Sequence, residues 1–403
     1  MAVYQWRVFE KDGTITTVDV EPSDMPIIKI PGDPAELEEL GFDLLNICKV
    51  ADQFCGGLKI TEAQMISVGG YHDIYELRTD SGDSKVSLIA RPFLAPLLDE
   101  WGQENCSGML LSEVAVMTLL RHTSTIPVPR CLSHSVSDGG NPWILLEKCS
   151  GVASECMRSA VSKEAKIRML HEFADISVQI SRVPVPSSAP IGSLQSFDTT
   201  MGSVQVGPLY AAGLVGGAGP FPTYQSYISY LVKRAEEIMG GETCKELQVI
   251  VALAERLAPS EDDRMWRPTL MHGDLDPKNI LSSNGHIDAI LDWEFHAVVP
   301  AFLALDYPKW LVNEGITDRR FAPMCLDGMT CTRSWVETEE DAAEYRRIFA
   351  QSVSALDPDY MRIVEAGSNA RRLVDWLLQW SQYEPYHTGF AAWRAYIEGS
   401  EGV

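Results

Sequence analysis

Two neighbouring stretches decide the fold: residues 270–281 read LMHGDLDPKNIL, and residues 291–294 read LDWE. Asp274 is followed five positions later by Asn279, and apolar residues flank this loop on both sides. Between residues 271 and 290 the pattern is one of short strands and loops, which places Asp292 at the end of a β-hairpin. The sequence therefore predicts that a loop and the hairpin behind it carry two carboxylates and one amide.

These three side chains have the chemical groups that phosphoryl transfer needs. A carboxylate such as Asp274 can orient and deprotonate an attacking hydroxyl. Mg²⁺ prefers hard oxygen ligands, and the Asn279 carbonyl and the Asp292 carboxylate are both of this kind. Asp, Pro and Asn are also common in ordinary turns, so the loop alone would favour a structural role. Its combination with His272 and with a strand that ends in Asp292 favours the catalytic interpretation.

The segment resembles the catalytic and metal loops of the aminoglycoside phosphotransferase/choline-kinase-like family, in particular its fungal-type branch. His272, Gly273, Asp274, Asn279 and Asp292 match the family's motif. The resemblance implies Asp274 as the catalytic base, Asn279 and Asp292 as Mg²⁺ ligands, and ATP as the phosphate donor. It also implies the protein-kinase-like fold, an α+β bilobal architecture with a small β-rich N-lobe and a larger, mainly helical C-lobe.

The N-terminal half contains matching candidates for nucleotide binding. Gly69 and Gly70 lie between two predicted strands, where the resemblance implies a glycine turn over the ATP phosphates, although such pairs also form plain hairpin turns. Asp73 stands where the family often has Asn. Arg91 ends the third strand, where the family usually has Lys, and the resemblance implies a salt bridge from Glu113 on the following helix.

The hinge between the lobes is expected near residue 150. There Glu147, Lys148 and Cys149 would offer backbone groups to adenine.

Arg91 in place of Lys is the main departure from the family's pattern. It leaves open whether phosphoryl transfer is retained, although the candidate base and metal-ligand positions are both kept.

The chain has 403 residues, enough for two folded units or one large bilobal enzyme. Alternating residues 3–9 and 14–20, on either side of Lys11–Gly13, predict a β-hairpin. A Pro- and acid-rich connection is expected from residue 21 to about residue 39. The predicted domains are an N-terminal extension over 1–45, a nucleotide-binding N-lobe over 46–150 with strands at 65–68, 74–79, 86–91 and 144–147, and a helical C-lobe over 151–403.

The charge and composition limit the partners. The 33 basic and 56 acidic residues give a net charge of −23, which disfavours binding to nucleic acid. No signal-peptide or membrane-spanning pattern is evident, and the nine cysteines are scattered. We therefore expect a cytoplasmic protein with reduced thiols. Its expected partners are a nucleotide and a small-molecule acceptor, without nucleic acid or membrane.

Two regions could contribute to an acceptor site. The uncharged, Gly- and Pro-rich run over residues 199–222 could form a lid or an ordinary surface excursion. Trp376 and Trp380 lie on one helix face, which is typical of a core and could also form an aromatic wall.

The favoured function is ATP-dependent transfer of the γ-phosphate to a hydroxyl or, less expectedly, an amine. Two alternatives remain. One is a kinase-fold protein that binds a nucleotide or metabolite without transfer. The other is a repurposed kinase-fold enzyme of fungal secondary metabolism with different chemistry.

Overall fold

The computed structural model describes residues 4–9, 15–20, 27–32, 37–38, 40–80, 86–136, 140–154, 161–211, 213–214, 216–240, 245–260, 262–308, 311, 338–380 and 384–400. These residues form two compact units. The first runs to Thr118 and includes Pro129–Cys149, and the second comprises Leu119–Val128 and the residues from Ser150 onward. The first is rich in strands and the second mainly helical, which confirms the predicted fold class.

The first unit is built on a six-stranded antiparallel sheet with strand order β3-β4-β5-β6-β8-β7, and β1 and β2 form a separate hairpin. The predicted turn at Lys11–Gly13 lies outside the described residues. The elements are β1 Tyr4–Phe9, β2 Ile15–Val20, β3 Ile27–Lys29, β4 Ile60–Val68, β5 Asp73–Thr79, β6 Ser87–Pro92, β7 Cys131–Ser135 and β8 Trp143–Glu147, with helices α1 Leu44–Ala51, α2 Ala95–Trp101 and α3 Gln103–Thr123.

The sheet and α1 share one apolar core. The Asp43 carboxylate accepts a hydrogen bond from the Asn46 N–H at 2.9 Å and caps the start of α1. The buried face of α1 packs into the cluster that contains Leu77 and Ala90 of the sheet. Full burial of each large apolar side chain stabilises the fold by about 1.5–3 kcal/mol. Because neighbouring side chains on a strand point to opposite faces, Arg91 points away from the face that Ala90 buries.

The second unit combines long helices with short strands. Its elements are β9 Val152–Ala153, α4 Lys163–Ser181, β10 Leu194–Asp198, β11 Ser203–Val206, α5 Tyr224–Ile238, α6 Lys245–Leu257, α7 Asp263–Trp266, β12 Pro268–Met271, β13 Ile280–Ser283, β14 His286–Ile290, β15 Ala297–Pro300, α8 Ala301–Ala304, α9 Glu339–Leu356, α10 Tyr360–Leu378 and α11 Glu384–Ser400. Within the described ranges, no helix is both long and apolar enough to cross a membrane.

Two short antiparallel pairings hold the signature loops. β12 pairs with β15, with Met271 opposite Ala297. β13 pairs with β14, with Ile280 opposite Ile290, and β9 joins the other edge of β13. One loop therefore runs between β12 and β13, and the second between β14 and β15. This arrangement confirms the short strands and loops predicted between residues 271 and 290.

The uncharged run over residues 199–222 is packed into the second unit where it is described. It contains β11, and isolated bridges join Ile191 to Phe221 and Leu209 to Ala218. Leu209 is 1% exposed and Phe221 7% exposed. The packing of both residues contradicts the idea of an ordinary surface excursion for this part of the run.

The aromatic C-terminal region is core. Trp376 is fully buried, and its ring lies 5.7 Å from that of Phe390. Trp380 also contacts Phe390, with a ring separation of 5.3 Å. Trp393 packs on the same phenyl ring at 5.8 Å. These contacts support the core interpretation of this helix face.

Candidate functional site

The loop between β12 and β13 joins Asp274 directly to Asn279. The Asn279 amide nitrogen donates hydrogen bonds to the Asp274 carbonyl at 2.8 Å and to the Asp274 carboxylate Oδ2 at 3.2 Å. Asn279 is 6% exposed. Both bonds engage the nitrogen of the amide, so its carbonyl oxygen points to the other side and remains the group suited to a metal ion.

Gly273 allows this loop to pass close to the second loop. Its φ is +85°, and a Cβ atom there would lie 2.0 Å from the Phe295 carbonyl oxygen. Only glycine has room at such a distance, and it adopts a positive φ without strain. The glycine of the His-Gly-Asp motif is thus explained by the approach of the two loops.

The second loop is fixed by both backbone groups of Leu291. The Leu291 N–H donates to the backbone carbonyl of Asn279 at 2.8 Å. The backbone carbonyl of Leu291 lies 2.9 Å from His272 Nε2. His272 Nδ1 accepts the Asp274 N–H at 3.3 Å, so the ring proton is on Nε2 and is donated to Leu291. Asp292 follows Leu291 in the chain, and the two bonds therefore place it beside the Asp274–Asn279 pair.

Burial keeps the His272 ring neutral. The side chain is 3% exposed, and desolvation lowers the pKa of its imidazole, although the Leu291 carbonyl and nearby carboxylates act in the opposite direction. A neutral ring can accept at one nitrogen while it donates at the other, as the bonds to Asp274 and Leu291 require. His272 thus organises both loops.

A buried helical turn directly follows Asp292 in the chain. Asp292 has a φ of +64°, in the left-handed region that Asp tolerates better than most residues, and the short helical turn Trp293–Phe295 follows. His296 Nδ1 donates to the Trp293 carbonyl at 2.7 Å, and His296 Nε2 accepts the Leu194 N–H at 3.0 Å. Burial lowers the pKa of His296 to about 4, which preserves this arrangement at neutral pH.

The structure adds a residue that the sequence interpretation missed. Lys278 Nζ lies 3.0 Å from Asp274 Oδ2. The sequence signal for this contact is the spacing of the two residues, because a lysine four residues after an Asp can contact its carboxylate across a tight turn.

The donor set in the second unit fits Mg²⁺. The Asn279 amide oxygen is oriented by the bonds that engage its nitrogen, and Asp292 supplies a carboxylate on the adjoining loop. Both are hard oxygen donors, and they leave room for water and phosphate ligands, as Mg²⁺ sites usually do.

In the first unit, the two glycines occupy the turn between β4 and β5. The Gly69 N–H donates to the His72 carbonyl at 2.8 Å, and a Cβ atom on Gly69 would lie 2.9 Å from that oxygen. A Cβ atom on Gly70 would meet nothing within 4 Å. Neither glycine has a positive φ, so this is not a hairpin turn of type I′ or II′. Gly70 is exposed.

Arg91 and Glu113 form a buried ion pair. Arg91 Nη1 lies 2.6 Å from Glu113 Oε1, and the two residues are 8% and 1% exposed. Such a short, charge-assisted bond fixes the guanidinium on β6. The structure thus brings together the cation and the acid that the sequence paired.

The expected hinge segment is anchored by the side chain of Lys148. The Lys148 ammonium lies 2.6 Å from Glu76 on β5, and Arg78 binds the same carboxylate at 2.6 Å. Glu147 is exposed, and its N–H donates to the Arg130 carbonyl at 3.0 Å. The Cys149 thiol lies 3.9 Å from the Glu147 carbonyl oxygen.

The second unit contains a cavity of about 340 Å³. It is lined by the start of α5 and the outer ends of β12 and β15, including Tyr224, Pro268 and Pro300. None of the candidate catalytic or metal-binding residues contributes to its lining.

Comparisons with known proteins bear on the family and the fold. Residues 107–302 match the model of the phosphotransferase enzyme family. Clavilactone A biosynthesis cluster protein Y of Ampulloclitocybe clavipes is 30% identical over 288 residues, which cover 66% of this chain and 67% of that protein. A thermostable mutant of aminoglycoside phosphotransferase APH(4)-Ia, in complex with AMP-PNP and hygromycin B, matches with a TM-score of 0.50. Its sequence is 14% identical, and the match covers 89% of this chain and 100% of that one.

The fold is therefore the protein-kinase-like fold of the aminoglycoside phosphotransferases. With the family model and the relative from Ampulloclitocybe clavipes, the chain belongs to the phosphotransferase enzyme family.

Proposed function

We propose that this protein transfers the γ-phosphate of ATP to a hydroxyl group of a small molecule, with Mg²⁺ as its metal cofactor. The observation that carries the proposal is the direct linkage of Asp274, Asn279 and the residue before Asp292 by hydrogen bonds. Membership of the phosphotransferase enzyme family supports the reaction class.

Asp274 would act as the base. Its carboxylate takes the proton of the acceptor hydroxyl as that oxygen forms a bond to the γ-phosphorus. The bond from the γ-phosphorus to the β,γ-bridging oxygen breaks, and ADP leaves. Mg²⁺ bound by Asn279 and Asp292 would neutralise charge on the triphosphate. The hydrogen bonds of His272 and Asn279 hold the acidic groups in place before substrate arrives, so little reorganisation is needed during transfer.

Nucleotide contacts are proposed for the first unit. The Gly69–Gly70 turn would meet phosphate oxygens with its backbone, and Arg91, held by Glu113, would supply a planar cation for them. The backbone of Glu147 and Cys149 would contact the adenine. The complex of the structurally similar aminoglycoside phosphotransferase with AMP-PNP supports a nucleotide ligand.

The acceptor is proposed to be a hydroxylated intermediate of secondary metabolism. The relative from Ampulloclitocybe clavipes is named for a biosynthesis cluster, which supports this class of acceptor. The same relative also favours the alternative of a kinase-fold protein that acts on, or binds, a pathway intermediate without phosphoryl transfer. Arg91 at the position of the family's Lys is a second feature in favour of that alternative.

The test is a transfer assay with Mg·ATP and a panel of hydroxylated small molecules, read by ADP release and by the mass gain of the product. We expect Asp274→Asn to lower turnover by about 10²–10⁴-fold. The matched control is Asp263→Asn, an exposed carboxylate on α7, which should retain turnover. Equal turnover in Asp274→Asn and the wild type would refute the mechanism. A modified product formed without ATP consumption would support the alternative.

A further inference from the structure

Lys278 occupies a defined position beside the proposed base. Its backbone N–H donates to Asp276 Oδ1 at 3.1 Å within the short helical turn Pro277–Asn279. Its ammonium lies 3.0 Å from Asp274 Oδ2. The turn therefore fixes the direction from which the side chain returns to the carboxylate.

Fold stability does not explain this ion pair. The side chains of Lys278 and Asp274 are 37% and 32% exposed, so solvent and salt screen their attraction. Pairs of this kind contribute little to stability. The direct contact of Lys278 with the proposed base points instead to a role in the reaction.

Two side-chain donors of the loop converge on the same carboxylate oxygen. Asp274 Oδ2 receives the Asn279 amide at 3.2 Å and the Lys278 ammonium at 3.0 Å. Among the described residues, no donor reaches Oδ1. The carboxylate is thereby held by one oxygen while the other is presented to an incoming hydroxyl.

We propose that Lys278 is a second cationic group of the transfer site, which holds Asp274 through Oδ2 and donates a hydrogen bond to the phosphoryl group in transfer. This inference rests on the proposed function. A negatively charged phosphoryl group next to the Asp274 carboxylate is repelled, and a point cation between them offsets that repulsion. An ammonium has three N–H donors, so it can contact both partners.

The same cation discriminates between acceptors. An ammonium group that approaches Asp274 would be repelled by Lys278, whereas a neutral hydroxyl would not. Lys278 therefore favours a hydroxyl acceptor over an amine, a choice that the loop motif alone leaves open.

The first experiment measures binding of Mg·ADP with and without aluminium fluoride, which mimics the phosphoryl group in transfer, by titration calorimetry. In the wild type, we expect fluoride to tighten ADP binding. In Lys278→Gln this gain should fall by about 10- to 100-fold while binding of Mg·ADP alone is retained. Lys278→Arg should recover most of the gain. The matched control is Lys163→Gln, another half-exposed lysine in an ion pair, with Glu344.

A second measurement uses turnover in the Lys278→Ala variant. Added ethylamine should restore part of the lost activity, an effect that a purely structural role would not produce. An unchanged fluoride gain in Lys278→Gln, or absence of rescue by ethylamine, would overturn the role of Lys278. A wild type that binds no Mg·ADP, or gains nothing from fluoride, would instead refute the proposed function itself.

Discussion

Removal of one partner of the Arg91–Glu113 pair should destabilise the protein strongly. In Glu113→Gln the guanidinium of Arg91, which is 8% exposed, loses the carboxylate that lies 2.6 Å from it. Breaking a buried ion pair by removing one of its partners costs about 3–5 kcal/mol. For a domain of 150–250 residues, such a loss lowers the melting temperature by roughly 6–20 °C.

A double variant separates stability from function. Arg91→Met combined with Glu113→Leu removes both charges, and apolar replacement of a buried pair is often neutral for stability. We expect the double variant to melt closer to the wild type than Glu113→Gln does. It should nevertheless lose nucleotide affinity, because the proposed phosphate-binding cation is absent.

The assay is thermal unfolding together with titration of Mg·ADP. The matched control is Lys59→Gln, which breaks the pair between Lys59 and Asp52, 2.8 Å apart, whose lysine is 75% exposed. This change should cost less than about 1 kcal/mol. If Glu113→Gln melts like the control, or if the double variant is no more stable than the single one, the buried pair does not have this energetic role.

Further predictions concern three residues of the first unit. Gly70→Ala should leave unfolding unchanged, because a Cβ atom there meets nothing within 4 Å, but should weaken Mg·ADP binding by about tenfold or more. Gly69→Ala should lower stability, because its Cβ atom would crowd the His72 carbonyl; the reverse order of effects would contradict the model of the turn. Burial raises the pKa of Glu76, but the hydrogen bonds from Arg78 and Lys148 outweigh this effect. The net result is a pKa of about 2, lowered from an ordinary 4.5. A depressed carboxyl pKa stabilises the fold above the ordinary pKa, so this contribution of about 3 kcal/mol should be lost as pH falls from 4.5 to 2. Glu76→Gln should flatten that part of the acid-unfolding curve, and an unchanged acid dependence would rule this out.

The sequence predicted the parts of the fold that depend on local pattern. The strands near residues 74–79, 86–91 and 144–147 appear as β5, β6 and β8, because alternation and apolar runs report directly on a sheet. β3 lies within the expected Pro- and acid-rich connection. Its three residues are too few to show a period, and it becomes a strand by pairing with β4 at the edge of the sheet.

The candidate site was predictable as a set of side chains, but its internal order was not. The motif identified Asp274 and Asn279 as neighbours in one loop. The bonds of Leu291 to Asn279 and His272 use backbone groups, which every residue has, so no side-chain pattern reveals them. Lys278 was overlooked because a lysine in a polar loop is usually solvated.

The measurement that tests the central claim most directly is the binding of Mn²⁺, used in place of Mg²⁺, in the presence of ADP. Electron paramagnetic resonance monitors this binding. The wild type and Asp263→Asn should bind the ion, and Asp292→Asn should lose most of that binding while its fold is retained. Equal Mn²⁺ binding in Asp292→Asn and the wild type would contradict the assignment of this loop pair as a metal and phosphate site.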